Sequence, residues 1–286
     1  MDQAHGGYYV PHGSHWPIVG TLGMVSLVVG GGSYLQGYGW GSALMALGAA
    51  ILIVMIFGWM GTVIRESVGG YYNAQVDTSF RWGMIWFIFS EVMFFAAFFG
   101  ALFYARVLSV PWLGGADPAT SKLLWNSVPL TWPTAGPGNT GLEFEPMGAW
   151  PLPTLNTIIL LTSGVTITIA HHALKANQRG KLVLFMALTA ILGATFLGFQ
   201  SYEYHEAWTQ MNLQLSTGIY GSTFFMLTGF HGMHVLIGTI MLIVITLRCI
   251  KGHFTPDSHF GFEGVAWYWH FVDVVWLGLY IFVYIL

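Results

Sequence analysis

Between Gln3 and Ile64 the chain runs for 62 residues without one Asp, Glu, Lys or Arg, and between Ala207 and Leu247 for another 41. No globule in water can be built from such runs, because its surface has to be covered by polar and charged side chains. Only 7% of the 286 residues are charged, against roughly 25% in an ordinary soluble domain. With a formal net charge of −3 there is no basic footprint for nucleic acid. A soluble enzyme, a disordered chain and a nucleic-acid binder are therefore excluded, and the chain reads as an all-α integral membrane protein. One cysteine, Cys249, allows no internal disulfide and no paired-thiolate metal site. Residues 1–17 form a polar tail with no Lys or Arg ahead of the first apolar run, so neither a signal peptide nor an Arg-rich transit peptide is expected.

A helix needs about 20 apolar residues to cross a hydrocarbon core of roughly 30 Å. Seven segments meet that requirement: Ile18–Tyr38, Trp40–Ile64, Arg81–Leu108, Leu155–Leu174, Leu182–Tyr202, Gly218–Ile250 and Gly264–Leu286. The expected organisation is a first pair of helices over 18–64, a polar connection over 65–80, and a five-helix bundle over 81–286. The first segment is the weakest, because Gly30-Gly31-Gly32 interrupts it. Gly37 with Gly41, Ala194 with Gly198 and Gly218 with Ser222 have the spacing of close helix packing.

The basic residues test the number of spans. With the N-terminus on one side, that same side receives Arg65, Arg81, Lys175, Arg179, Lys181, Arg248 and Lys251, and the other only Arg106 and Lys122. Such an asymmetry places the basic side, and the N-terminus, in the cytoplasm or its equivalent. The longest connection, 109–153, then lies outside. It is rich in Pro, Gly and Trp and carries Asp117, Glu143 and Glu145. The short outer connection, with Glu203, His205 and Glu206, is also acidic, and both would suit a basic soluble partner.

Ionisable side chains inside a membrane are costly and point to function. Glu91, ten residues after Arg81, sits ~15 Å deep at the helical rise. Asp273 lies at a similar depth from the same face. These are the two candidate buried carboxylates. Their depth predicts a buried polar cluster of His231 or His234 with His270 and Asp273, on sequential antiparallel helices. Three imidazoles and a carboxylate could hold zinc or iron, but structural hydrogen bonding accounts for the same spacing, and no metal is expected. The adjacent His171 and His172 point to different helix faces and read as interfacial. His5, His12 and His15 in the tail form at most a loose chelate.

The basic residues also have a second reading. Trp59, Arg65, Glu66, Arg81, Arg248, Lys251 and His253 gather at head-group depth on one side, where they would hold phospholipid. No phosphate-binding glycine loop, nucleophile elbow or HExxH appears, and the four lysines lie in loops or at helix ends, so a retinal Schiff base is excluded.

Five strings carry a resemblance: VIRES at Val63–Ser67, RWGMIWFIFSEVMFF at Arg81–Phe95, NTIILLTSGVTITIAHHAL at Asn156–Leu174, GIYGSTFFMLTGFHGMHVLIGT at Gly218–Thr239 and HFGFEGVAWYWHFVDVVWL at His259–Leu277. They resemble subunit III of cytochrome c oxidase over all seven spans. The resemblance implies two helices and five helices splayed into a V with phospholipid in the cleft. It implies a non-catalytic, redox-inert subunit flanking subunit I, with haem a and copper in subunits I and II and cytochrome c as a partner of the whole complex. Glu91 is similar to the family's buried, carbodiimide-reactive carboxylate. Relatives often have a His pair where this chain has Tyr71-Tyr72, so phenol hydroxyls replace imidazoles there. The expected role is to support oxygen access, proton uptake and turnover stability while oxygen is reduced to water. Subunit III of a quinol oxidase, a proton-coupled transporter and a histidine-metal membrane enzyme are the alternatives. An outer connection longer than in mitochondrial relatives points to a bacterial plasma membrane.

Overall fold

The computed structural model describes residues 8–10, 13–125, 130–139 and 142–286. Among them are seven helices long and apolar enough to cross a membrane, and no strand. They are α1 (Trp16–Leu35), α2 (Gly41–Val68), α3 (Ala74–Phe103), α5 (Leu152–Lys175), α6 (Arg179–Thr209), α7 (Ile219–Lys251) and α8 (Phe260–Leu279). A short helix, α4 (Pro118–Trp125), lies in the long connection. Two helices end in widened π turns: α3 continues through Tyr104–Ser109 and Trp112–Ala116, and α8 through Tyr280–Ile285. His5 and His12 lie outside the described residues.

Most helices run beyond their apolar runs, because polar residues at head-group depth remain helical. Arg65 and Glu66 belong to α2 and Asp77 to α3, so the expected connection over 65–80 shrinks to the few residues between Val68 and Ala74. Likewise Glu203, His205 and Glu206, expected in a loop, are part of α6. The first part of the expected outer loop 109–153 is also helical. Local chemistry sets the ends. The Asn73 side chain accepts from the Val76 amide at 2.9 Å, capping the start of α3. At the far end of α7, Gly252 takes a left-handed conformation, φ 75°. The His253 amide then returns to the Arg248 carbonyl at 3.1 Å, a glycine-dependent helix stop.

The chain divides into two compact units, Met1–Phe80 and Arg81–Leu286. In the first, α1 and α2 pack with very little between them. A Cβ on Gly30 would strike the Met45 backbone, and one on Gly48 the Leu27 backbone. The three consecutive glycines do not interrupt α1. Small residues permit this approach, and in a bilayer close van der Waals packing is a main source of helix association. None of the three expected packing pairs holds: Gly37 and Gly218 have positive φ and lie outside the helices, and Gly198 faces open space.

In the second unit, α5, α6, α7 and α8 enclose two fully buried tryptophans, Trp269 and Trp276. The Trp269 ring lies against Gly193 of α6 and Gly238 of α7, where any side chain would collide with it. Each indole needs a partner away from water. Trp269 Nε1 donates to Ser163 Oγ and Trp276 Nε1 to Thr157 Oγ1, both at 2.9 Å. The two tryptophans thereby fix the register of α8 against α5. The outer connection is stitched to the α6–α7 link by the Glu145 amide on the Met211 carbonyl at 3.0 Å and the Asn212 side chain on the Glu143 carbonyl at 2.9 Å.

Candidate functional site

The intramembrane ionisable groups resolve into separate hydrogen-bonded sets, not one cluster. His234 of α7 turns to α3, where its Nε2 lies 3.0 Å from Glu91 Oε2. His231, one turn earlier, is fully buried and places Nε2 3.2 Å from the Val272 carbonyl of α8. His270 and Asp273 pair along α8, Nδ1 to Oδ2, at 3.5 Å. Among the described residues Asp273 is paired with His270 of the expected cluster, and neither His231 nor His234 is bonded directly to it. All these groups share a depth, but depth does not say which helix faces which, and α3 intervenes with Glu91. Glu91 is also less enclosed than expected: its side chain is 22% exposed, against 9% for Asp273. Among the described residues no three His, Cys, Asp or Glu side chains come together in a metal-holding group.

Donor logic constrains the protons in the first pair. His234 Nδ1 lies 2.7 Å from the Phe230 carbonyl, which can only accept, so Nδ1 carries hydrogen. Nε2 then either accepts from a protonated Glu91 or, protonated itself, donates to the carboxylate. Both arrangements hold one proton between the two groups and leave the pair neutral, which lowers the penalty of placing a carboxyl inside the membrane. The rings of Phe95, Tyr268 and Phe271 surround the imidazole.

The most deeply buried carboxylate is one that sequence reading missed. Glu203 is 0% exposed and accepts from Tyr284 Oη at 2.7 Å, while its Oε2 has no partner. The nearby Tyr204 hydroxyl bonds Thr228 Oγ1 at 2.6 Å. No local signal marks Glu203, since its partner is 81 residues away.

At the basic end of the second unit, the expected head-group residues divide. Arg81 is held by Glu263, with Nη2 at 2.9 Å and Nε at 3.1 Å from one carboxylate oxygen, an ion pair between α3 and α8. Arg248 is 9% exposed, stacks over Phe254 at 4.3 Å and keeps Nε without a partner. Lys251 is exposed at the end of α7. His253 Nδ1 and His259 Nδ1 are buried and unpartnered, as is His171 Nε2, whose ring lies 5.4 Å from that of His259. Desolvation, with Arg248 and Lys251 close by, moves the His253 imidazole below its ordinary pKa. His172 is exposed.

In the first unit, Glu66 is the centre. It accepts from Tyr72 Oη at 2.7 Å and Tyr9 Oη at 3.1 Å. Burial and then the Glu66 carboxylate raise the Tyr72 phenol well above its ordinary value, and the same causes raise Tyr9. Of the Tyr71-Tyr72 pair, Tyr72 engages the carboxylate. Arg65 is exposed and donates to the Thr62 hydroxyl at 3.1 Å. Trp59 is 43% exposed. His15 stacks on Trp16 with ring centres 4.4 Å apart.

Comparison with known proteins follows this geometry. The family model described as cytochrome c oxidase subunit III matches residues 6–286. Among similar proteins, the cytochrome c oxidase subunit 3 of Arabidopsis thaliana is 41% identical over 97% of this chain and 95% of its own length. That of Marchantia polymorpha is 42% identical over 95% and 93%, and that of the carp Cyprinus carpio 40% over 99% and 97%. The expectation of a bacterial membrane finds no support among these relatives, which come from land plants and a fish. With seven apolar spans and a match over residues 6–286, this multi-pass membrane protein belongs to the cytochrome c oxidase subunit III family.

Proposed function

We propose that the chain is the redox-inert subunit III of a respiratory oxidase, standing beside subunit I, with haem a and copper held in subunits I and II and cytochrome c docking on the assembled complex. Its own work is to hold phospholipid, to support oxygen access and proton uptake, and to lengthen the life of the enzyme in turnover. The basic end faces inside, as the distribution of Lys and Arg requires. The relatives named above are eukaryotic, which favours a mitochondrial inner membrane over a bacterial one.

The observation that carries the lipid part is the end of α7. There Arg248 Nε and His253 Nδ1 stand buried and, among the described residues, without a partner, three residues before and two after the exposed Lys251. The Arg248 guanidinium can only donate, a buried donor left open has a strong demand for an acceptor, and at head-group depth the abundant acceptor is a lipid phosphate. Arg65 and Trp59 offer a second such place in the first unit. Acyl chains retained against the apolar helix faces dissolve oxygen better than water does, which supplies the link to oxygen access.

The test is lipid retention. Purified oxidase with Arg248→Gln and Lys251→Gln should lose at least one phospholipid per complex by mass spectrometry, with haem content unchanged. An unchanged lipid count would remove this role.

A further inference from the structure

Two polar side chains inside the α5–α8 bundle lie beyond the reach of lipid and of any neighbouring chain. Asn156 of α5 and His231 of α7 are both 0% exposed. α5 and α7 each pack against α6 and α8, so the two side chains enter the bundle from opposite sides. They share one neighbourhood. The His231 ring lies 5.8 Å from that of Phe196 on α6 and 5.1 Å from that of Trp276 on α8. The Phe196 carbonyl accepts from Asn156 Nδ2 at 3.4 Å, and Trp276 Nε1 bonds Thr157, the residue next to Asn156.

Each side chain keeps one polar atom open, and both open atoms are acceptors. His231 Nε2 faces the Val272 carbonyl at 3.2 Å, which can only accept, so Nε2 carries the hydrogen and Nδ1 presents a lone pair. A doubly protonated ring would be a fully buried charge. The two carboxylates nearest in depth pair elsewhere, Glu91 with His234 and Asp273 with His270. Turning the Asn156 amide over would set its oxygen against the Phe196 carbonyl, so Nδ2 stays there and Oδ1 is the free end. Among the described residues neither Asn156 Oδ1 nor His231 Nδ1 has a partner. A buried acceptor left so carries its full desolvation penalty. The donors around them are committed. Trp276 Nε1 goes to Thr157 and Trp269 Nε1 to Ser163, while the Thr157 and Ser163 hydroxyls donate to the Pro153 and Leu160 carbonyls.

We propose that the bundle interior contains a built-in hydration site, in which ordered water donates a hydrogen bond to Asn156 Oδ1 and another to His231 Nδ1. Water is neutral, small and carries two donors, which is the chemistry that two enclosed acceptors require. Buried water of this kind is an integral part of a fold where polar groups converge. It joins α5 to α7 across the bundle and holds His231 in the tautomer that bonds α8. The site is independent of the lipid contacts at the head-group level.

A cryo-electron microscopy map of the intact oxidase, at a resolution that shows ordered water, tests it directly. Density is expected within hydrogen-bond reach, about 2.7–3.2 Å, of both Asn156 Oδ1 and His231 Nδ1. Its absence at either atom overturns the site. X-ray radiolysis of the same complex gives a second readout, because irradiated internal water yields hydroxyl radicals that mark the side chains beside it. Trp276 should be oxidised roughly three- to ten-fold faster than Trp269, which is equally buried and bonded to Ser163. The excess should disappear in the double variant Asn156→Leu with His231→Phe. Equal oxidation of the two tryptophans in the parent, or an excess that survives the double variant, overturns the proposal. If the double variant does not assemble, the map and the ratio in the parent decide.

Discussion

His234 Nε2 and Glu91 Oε2 lie 3.0 Å apart, although 143 residues separate them in the chain. This bond ties α7 to α3 at a depth where neither side chain has water to fall back on. Because Nδ1 is committed to the Phe230 carbonyl, the pair holds its one proton between the two side chains.

That arrangement predicts different outcomes for two substitutions. Glu91→Gln keeps a donor facing Nε2 and should change thermal stability of the complex by less than about 1 kcal/mol. Glu91→Ala leaves the imidazole unpartnered and should destabilise by about 1–3 kcal/mol. Melting followed by the loss of haem absorbance distinguishes them, and equal shifts would mean that the bond does not form. Proton stoichiometry should be the same in both variants if the pair is structural.

Among the described residues Tyr284 gives Glu203 the only hydrogen bond that its carboxyl makes. Tyr284→Phe removes that donor and leaves a fully buried acid with neither oxygen satisfied. The expected loss is about 1–3 kcal/mol. Tyr284→Phe combined with Glu203→Leu should recover most of it, since removing both partners is far less harmful than removing one. Melting of the single and double variants checks this, and an additive loss would contradict it.

Gly164→Ala places a methyl group in the space occupied by Asp273 Oδ2. The carboxylate is enclosed by α5 and α8 and has nowhere to retreat, so overpacking of about 1–3 kcal/mol is expected. The same change at Gly198, where nothing lies within reach, should be nearly neutral. A pair of melting curves decides it.

The bond from Tyr72 to Glu66 has a pH signature. The folded phenol is raised above its ordinary value of 10.0, so the folded protein holds that proton more tightly than the unfolded chain. The stabilisation is therefore fully present below about pH 10 and is lost as pH rises through the folded value. Ultraviolet titration of tyrosinate should show one fewer late-ionising phenol in Tyr72→Phe than in the parent. Ionisation of all exposed tyrosines in a single step near pH 10 would contradict the bond.

Much of the fold was legible because bilayer thickness sets a length that any spanning helix must meet, and seven apolar runs meet it. The ends were not, because Arg65, Glu66 and Glu203 are polar yet helical at head-group depth. The candidate site was legible in its residues but not in its pairings. Glu91, His234, His270 and Asp273 stand out as ionisable groups in apolar runs. That Glu91 takes His234, and that Arg81 is claimed by Glu263 182 residues later, depends on which helices are neighbours, and depth along a helix carries no such information. Glu203 reads from sequence as an acidic loop residue because α6 continues to Thr209, beyond the point where its apolar run stops. Trp269, by contrast, shows in hindsight as a large residue whose neighbours Gly193 and Gly238 are small enough to receive it.

The central claim is that this chain keeps a neighbouring oxidase core working without taking part in its electron transfer. Continuous oxygen consumption by the complete complex, and by the same complex stripped of this chain, tests it most directly. Equal initial rates with a markedly earlier loss of activity in the stripped enzyme are expected, with partial recovery on adding the chain back together with phospholipid. Identical decay curves for the two preparations, or an initial rate that collapses at once when the chain is removed, would contradict it.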